Sequence, residues 1–387
     1  MPVRATKRGA ERTRFQRGDC DVLVCGASFA GLAVARELAG SGARVLVIDR
    51  YELGERQTSA CAIPTVWLQA LDLMGSLRQS FDRMTVHTRF RTSRWSLPWS
   101  FSTFDYPELC ALLRGQSEDS GVELETATVI ARDGFTVHTD RGDLSAPLIV
   151  DALGWRRVLS NGPPIQPPDA PLSRGLEVHP AGHREEMQLW IDPRYLRAGY
   201  TWSFPAGDEV RVGAGSFWPS SHVKEPTVRL ARDLGLPAEG YQGNWIPHRL
   251  RPAVEDGVFF VGDSAGHCLP LTAEGIRTAL YFGLACGREL RAVLDGRRSR
   301  AEALARYGAF SDRHERKYRW MLGAQRLLGR MTPSRSVTAW VHALENRRIA
   351  EWIFEHYLAI APPSFVANGP RPSVMQARRL STASASP

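Results

Sequence analysis

Three aspartates, each closing a short apolar run, are the residues of this 387-residue chain best placed to do chemistry: Asp49, Asp151 and Asp263. Asp49 ends the stretch DCDVLVCGASFAGLAVARELAGSGARVLVID. There Asp21–Cys25 reads as a strand, Gly26-Ala27-Ser28-Phe29-Ala30-Gly31 as a turn, Leu32–Leu38 as a helix and Ala43–Ile48 as a second strand. A glycine turn between a strand and a helix offers backbone N–H groups to a pyrophosphate, and an acid at the second strand's end accepts hydrogen bonds from a ribose. Gly26 makes the tight turn, Gly31 lets helix and strand approach, and Ser28 stands where a middle glycine is usual. The motif fits FAD and NAD equally. Its plain alternative is a βαβ unit that holds no nucleotide.

A second constellation follows much later, in GVFFVGDSAGHCLPLTAEGIRTALYFGLACG at 257–287. Val258–Val261 predicts a buried strand, and Gly262-Asp263 follow it directly. An acid there reaches the ribityl or pyrophosphate portion of a flavin. Pro270 precedes a helix expected from Ala273 to Leu294, with Thr272 as its N-cap. A helix starting at Ala273-Glu274-Gly275-Ile276 would aim positive dipole at the pyrimidine edge of a flavin ring, where reduction deposits charge.

Residues 200–215 read YTWSFPAGDEVRVGAG. Alternation puts Tyr200, Trp202 and Phe204 on one face of a strand, and the return strand ends in Gly213-Ala214-Gly215. That face is either a core or the wall of a pocket for a large apolar ligand. Cys61, in SACAIP, is either a proton-carrying thiol or a buried inert one.

These blocks carry a resemblance. GASFAG with Asp49 and Arg50, LIVDALGW around Asp151 and Gly154, VGDSAG, and PLTAEGI resemble, in order and spacing, the FAD-binding blocks of p-hydroxybenzoate-hydroxylase-type flavoproteins. YTWSFP…GAG is similar to the signature of the geranylgeranyl reductase family, where that segment lines the polyprenyl pocket. The resemblance implies bound FAD held by residues 26–31, Asp49, Arg50, Asp151, Gly154, Gly262, Asp263 and Glu274–Ile276. It further implies a substrate wall of Tyr200, Trp202, Phe204 and Pro270, with Cys61, Tyr200 and Trp202 as catalytic candidates. Two departures stand out. Asp151 is followed by Ala152-Leu153-Gly154 rather than glycine, and no Arg occurs in Phe101–Thr103, leaving Arg114 as the substitute phosphate contact. Halogenases of related fold need a Lys after the first nucleotide unit, and residues 50–100 contain none.

The elements that must position these groups imply an α/β fold: a Rossmann-type FAD-binding domain, an inserted mixed β-sheet substrate domain and a C-terminal helical segment. The expected boundaries are 19–85, 105–160 and 245–300 for the FAD-binding domain, 86–104 and 161–244 for the substrate sheet, and 301–360 for the helices. Residues 1–18 are expected as a disordered basic tail and 361–387 as a disordered tail rich in Pro, Ser and Ala. RWMLGAQRLLGRM suits either helix packing or a basic amphipathic rim that admits a lipid.

Composition agrees with a globular protein, 43% hydrophobic and 23% charged, with no apolar run of the ~18 residues a span requires. The net charge of +8 is almost all arginine, unaccompanied by a nucleic-acid-binding motif, so nucleic acid is not expected as a partner. Six scattered cysteines without CxxC spacing suggest neither zinc nor disulfides and fit a reducing cytoplasm. The expectation is therefore a cytoplasmic FAD-dependent oxidoreductase, peripheral at a membrane if the basic rim is used. It would reduce a carbon–carbon double bond of an isoprenoid or other apolar substrate. NAD(P)H, another external reductant or an electron-donor protein would supply electrons. Two alternatives share the fold: a class A monooxygenase, and a reduced-FAD cyclase or isomerase with no net redox change.

Overall fold

The computed structural model describes residues 12–57, 59–117, 120–162, 172–331 and 334–367. Runs of Val, Leu and Ile buried on both faces build a six-stranded sheet. Its strands are β1 (Val22–Cys25), β2 (Val45–Asp49), β6 (Val122–Thr126), β10 (Leu148–Asp151), β16 (Val254–Glu255) and β17 (Val258–Phe260), in the order β16-β17-β10-β1-β2-β6. All pairs are parallel except β16–β17. Helices α1 (Phe29–Leu38) and α5 (Ile276–Leu294) lie against each other beside this sheet. They approach through glycine: a Cβ on Gly283 would sit 2.6 Å from the Ala30 carbonyl oxygen, and one on Gly287 2.9 Å from that of Val34.

The second sheet has eight strands. It comprises β3 (Ala62–Pro64), β4 (Leu77–Thr88), β5 (Thr92–Phe104), β11 (Leu172–Val178), β12 (Met187–Ile191), β13 (Gly199–Ala206), β14 (Glu209–Ser216) and β15 (Gln242–Pro247). The order is β15-β11-β14-β13-β12-β4-β5-β3, antiparallel except where β12 runs parallel to β4. Helix α4 (Lys224–Asp233) backs it, α2 (Thr65–Ala70) lies between β3 and β4 and packs on β3 and β5, and α3 (Tyr106–Gly115) leads from β5 to β6 of the first sheet. A small antiparallel sheet of β7 (Val129–Asp133), β8 (Thr136–Thr139) and β9 (Gly142–Ser145) completes the nucleotide side.

The C-terminal region is helical: α6 (Arg300–Asp312), α7 (Glu315–Met331), α8 (Arg335–Ala343), α9 (Arg347–Leu358) and the short α10 (Ser364–Ala367). Ser299 and Glu302 form a reciprocal capping box that starts α6. No helix among the described residues is long and apolar enough to cross a membrane.

Several expectations change. Strand β4 begins at Leu77 and β3 at Ala62, so the substrate sheet claims segments assigned by sequence to the nucleotide domain. The helix expected from Ala273 starts instead at Ile276, capped by Gly275. Leu271 and Ala273 hold φ of 70° and 52°, a left-handed path incompatible with helix, so Thr272 caps nothing. Within the expected basic tail, Arg12 pairs with Asp140 at 3.0 Å and Ser145 N donates to Gly18 O at 2.6 Å, which ties residues 12–18 to the small sheet. Residues 1–11 and 368–387 lie outside the described residues. Of the expected C-terminal tail, 364–367 form α10, with Val366 buried.

Candidate active site

A cavity of about 1830 Å³ runs between the two sheets and reaches the C-terminal helices. Its nucleotide end is built from backbone geometry. Gly26 has φ of 114°, and a Cβ there would meet the Ala152 carbonyl oxygen at 2.3 Å; one on Gly31 would meet the Gly26 oxygen at 1.8 Å. Neither glycine lines the cavity. They fold the turn tightly enough that Ala27, Ser28, Phe29 and Ala30 do. Ser28, the N-cap of the ten-residue α1, makes no side-chain bond to the helix, and it accepts the Tyr106 hydroxyl at 3.2 Å instead. The N–H groups of the first turn are thereby left for an anion.

Asp49 stands on the wall, where its carboxylate accepts Ala27 N at 2.8 Å and Tyr51 N at 3.0 Å. Burial raises its pKa, against the pull of those two N–H donors. Lone pairs remain for a diol. Arg50, Arg56 and Arg156 bring positive charge to the same end, and Gly154 leaves open space beside them. The Asp263 carboxylate, next to Gly262, accepts no hydrogen bond from the described residues, although its backbone oxygen accepts Gly266 N at 3.1 Å, and burial pushes the carboxyl up to about 6. Glu274, Gly275 and Ile276 line the stretch beyond it.

The opposite wall is side chains rather than backbone. Register places Trp202 opposite Gly213 and Tyr200 opposite Gly215 across β13 and β14. The glycines make room for the Trp202 ring: a Cβ on Gly213 would fall 2.3 Å from Trp202 Cζ2, and one on Gly215 3.3 Å from Cζ3. Tyr200, Trp202 and Phe204 form a file with neighbouring ring centroids 6.0 and 6.3 Å apart, all on the cavity wall. Their polar atoms are engaged. The Tyr200 hydroxyl donates to Thr272 O at 2.5 Å, and the Trp202 indole N–H donates to Glu177 Oε2 at 3.3 Å. Burial also raises the Tyr200 pKa.

From β5, Trp95, Leu97, Trp99 and Phe101 add a third apolar side. Helices α8 and α9 dock onto it: Trp95 Nε1 donates to Val341 O at 2.8 Å, and Trp99 meets the Phe354 ring edge-on at 5.7 Å. Glu274 forms a two-point ion pair with the buried Arg277, at 2.8 and 2.7 Å, and accepts the Tyr357 hydroxyl. This ties the turn before α5 to α9. Trp320, Leu327, Trp340 and Trp352 stand at the outer edge of the cavity, 58–72% exposed.

The structure thus gathers most of the residues singled out by sequence; besides Gly26 and Gly31, which shape the turn from behind, four do not line the cavity. Cys61 is fully buried in the core cluster of Trp67, Leu68 and Phe104 and does not line the cavity, although Ala60 and Ala62 do. Burial drives its thiol pKa well up. Asp151 is fully buried behind the wall, accepting Leu153 N at 2.9 Å, Ser264 Oγ at 2.6 Å and Leu159 N at 2.8 Å, so it braces the block rather than touching a ligand. Pro270 is buried next to the wall, where Cys268 and Leu271 take its expected place. Arg114 does not face the cavity either; Arg56 and Arg156 do. As catalytic groups, Tyr200 and Trp202 offer ring surface, since their protons are committed elsewhere. Sequence reading missed the β5 rings, whose two-residue period in TSRWSLPWSF carried the signal. Glu177 had no such signal.

The residues at the nucleotide end fit FAD. An open helix N-terminus suits the pyrophosphate, Asp49 the ribose, and the unpartnered Asp263 a ribityl or phosphate-adjacent hydroxyl. The volume exceeds the roughly 300–1,000 Å³ of an ordinary ligand pocket.

Comparison with known proteins agrees. A family model described as FAD binding domain matches residues 19–133. The chain is 25% identical to digeranylgeranylglycerophospholipid reductase 3 of Methanosphaera stadtmanae over 333 residues, 76% of this chain and 83% of that one. It is 25% identical to digeranylgeranylglycerophospholipid reductase 1 of Methanopyrus kandleri over 370 residues, 84% and 95% of the two chains. Among solved structures, a geranylgeranyl bacteriochlorophyll reductase-like protein of Thermoplasma acidophilum superposes with a TM-score of 0.76 at 17% identity, covering 90% of this chain and 98% of that one. The resemblance read from the sequence holds in all three comparisons. The α/β architecture of an FAD-binding domain with further sheets and C-terminal helices is that of the Thermoplasma protein.

Proposed function

Taking the chain as an FAD-dependent oxidoreductase similar to these reductases, we propose that it hydrogenates a carbon–carbon double bond in the polyprenyl chain of a lipid. One observation carries the reading: a single apolar cavity continues from the FAD-binding turn, past Glu274–Ile276, along the aromatic file and out to the C-terminal helices. A dinucleotide would fit one end, and the remaining length suits an extended hydrocarbon chain.

Bound and reduced, FAD supplies hydride to an alkene carbon. This chain's own residues do the rest. The first turn of α1, Asp49, Gly154 and Asp263 would hold the cofactor, with the turn Glu274–Ile276 lining the stretch beyond them. Tyr200, Trp202 and Phe204, with Trp95, Trp99 and Phe101 on the same cavity, hold the chain in line and exclude water. An external two-electron donor, NAD(P)H or a donor protein, restores the reduced cofactor.

The lipid enters from a membrane surface. Trp320, Trp340 and Trp352 are large exposed rings at one cavity mouth, and exposed Arg316, Lys317, Arg319, Arg330, Arg335 and Arg348 lie around them. Tryptophan beside cationic side chains suits the headgroup region of an anionic bilayer.

The test is product mass. Dithionite-reduced holoenzyme is incubated with a geranylgeranyl glycerolipid, with and without oxygen, and the lipid is analysed by mass spectrometry. Addition of two hydrogens independent of oxygen is expected. Gain of an oxygen atom would indicate a monooxygenase, and a product of unchanged mass a cyclase or isomerase.

A further inference from the structure

Reduction of an alkene needs a proton as well as a hydride, and the cavity's apolar wall is built to exclude water. Among the described residues five acidic side chains line the cavity: Asp49, Glu52, Glu177, Asp263 and Glu274. Asp49 is engaged by two backbone N–H groups at the nucleotide end, Glu52 accompanies it there, and Asp263 borders the turn at Gly262. Glu274 is held by Arg277 and Tyr357. Glu177 differs from all four. It lies in the substrate sheet, its side chain is only 2% exposed, and it shares a row across the strands with Trp202, Gly213 and Gln242.

Behind Glu177 lie two further titratable groups. His179 Nε2 sits 2.9 Å from Glu177 Oε1. The same imidazole has Nδ1 3.8 Å from Glu209 Oε1, too far for a direct hydrogen bond, and Gln242 Nε2 lies 2.8 Å from Nδ1 and 2.6 Å from Nε2. Exposure rises along the series: 2% for Glu177, 13% for His179 and 32% for Glu209. Arg211 fixes the outer end, donating from Nε to Glu209 at 2.8 Å, while its Nη1 donates to Ala60 O at 2.7 Å. The charged and titratable groups facing this series are therefore His179 beyond the end of β11, Glu209 and Arg211 on β14, and the Cys61 thiol behind them. Gln242 on β15 and Trp202 on β13 are neutral. A buried acidic side chain lining the cavity, backed by an imidazole and then by a second acidic side chain with more access to water, is an arrangement through which a proton can be relayed.

We propose that Glu177 donates the proton that completes alkene reduction, and that His179, with Glu209 at the outer end, replaces it from solvent. This rests on the reductase reading above. The step balances: hydride from the reduced cofactor forms one C–H bond, and the π electron pair takes the Glu177 proton to form the other. The carboxylate left behind is reprotonated by the His179 imidazolium. Two electrons leave the cofactor and are replaced by the external donor. Trp202, by donating to Glu177 Oε2, orients the carboxyl and is a positioning residue.

The test has two arms. In stopped-flow mixing of anaerobic, dithionite-reduced holoenzyme with a geranylgeranyl glycerolipid, Glu177→Gln should slow substrate-driven reoxidation about a hundredfold while FAD content and dithionite reduction stay as in the wild type. His179→Ala should slow it less, and added imidazole should restore it. The second arm uses the apoprotein alone, by infrared spectroscopy across a pH titration. A carboxylic C=O band should vanish in Glu177→Gln, and its midpoint should move in His179→Ala. Reoxidation of Glu177→Gln at the wild-type rate overturns the proposal, as does a Glu177 band indifferent to His179. Should wild-type enzyme yield no hydrogenated lipid, the reductase reading fails, and the infrared coupling alone decides whether the relay exists.

Discussion

The two ends of the cavity are made by opposite means. At the nucleotide end main chain shapes much of the ligand surface, with the Asp49 and Asp263 carboxylates set into it, and several positions matter for the side chain they lack: Gly26 and Gly31 act by having no Cβ, and Gly154 by leaving open space. At the substrate end the surface is aromatic side chain, delivered by β5, β13 and three C-terminal helices. Even the glycines there serve a ring, since Gly213 and Gly215 are the floor on which Trp202 lies. A main-chain site tolerates almost no change but accepts only one kind of ligand. A side-chain wall can be reshaped residue by residue, which suits a site that must fit a particular hydrocarbon.

That contrast breaks first at Gly31. A Cβ 1.8 Å from the Gly26 oxygen cannot be absorbed by a rotamer change, because both partners are backbone. Gly31→Ala should cost upwards of about 4 kcal/mol, read as loss of soluble folded protein and of bound flavin together. At the other end, Gly213→Ala forces the Trp202 ring into the cavity at a cost of about 1–3 kcal/mol. It should keep FAD, measured by absorbance after desalting, yet lose turnover of a long-chain lipid. Trp202→Ala should do the same from the opposite direction, by removing the wall. If either of these two variants loses its flavin along with its turnover, the two ends are not separate structures.

The same difference decides what was legible in the sequence. A main-chain site leaves a spacing that can be read: Gly26, Gly31 and Asp49 are fixed by the strand–turn–helix they must make, and Gly262-Asp263 by the strand end before them. The file Tyr200, Trp202, Phe204 was visible because a strand alternates. Positions behind the wall were harder. Asp151 closes a strand as Asp49 does, yet it turns inward to Ser264 and two backbone N–H groups, which no linear pattern distinguishes. Cys61 sits beside cavity residues but, at φ of 49°, faces the core. The start of α5 was misplaced by three residues because left-handed turns at Leu271 and Ala273 give no signal in residues that rarely adopt them. Glu177 acquires meaning only through β11, β13, β14 and β15 together.

Asp263 gives a smaller effect with a definite sign. Its folded pKa is raised from 3.8 to about 6 by burial, so the folded apoprotein resists its ionisation. Below about pH 4 the carboxyl is neutral whether folded or not, and no penalty exists. Between about pH 4 and 6 stability falls as the carboxylate forms, and above that the loss is constant at up to about 3 kcal/mol. Apo Asp263→Asn should therefore melt higher than wild type at neutral pH, and the two should converge in acid. Identical melting curves at both pH values would mean that Asp263 already has a partner, and that the nucleotide end is as self-sufficient as the aromatic wall.

The least effect on stability is expected at the outer rim, where the wall meets solvent. Trp320 and Trp340 are each 72% exposed and Trp352 63%, so replacing all three with Ser removes little packing and should shift stability by no more than about 0.5 kcal/mol per site. Turnover of a short, detergent-dispersed isoprenoid should be retained, because the inner file from Tyr200 to Phe204 is untouched. What should fall is sedimentation with vesicles containing anionic phospholipid, and with it turnover of lipid presented in those vesicles. Added salt should weaken wild-type binding through the surrounding arginines, and weaken the residual binding of the triple variant further. Wild-type and variant chains that partition equally onto vesicles would sink the membrane reading, and would leave the rim as the exposed flank of a cavity loaded by some other route.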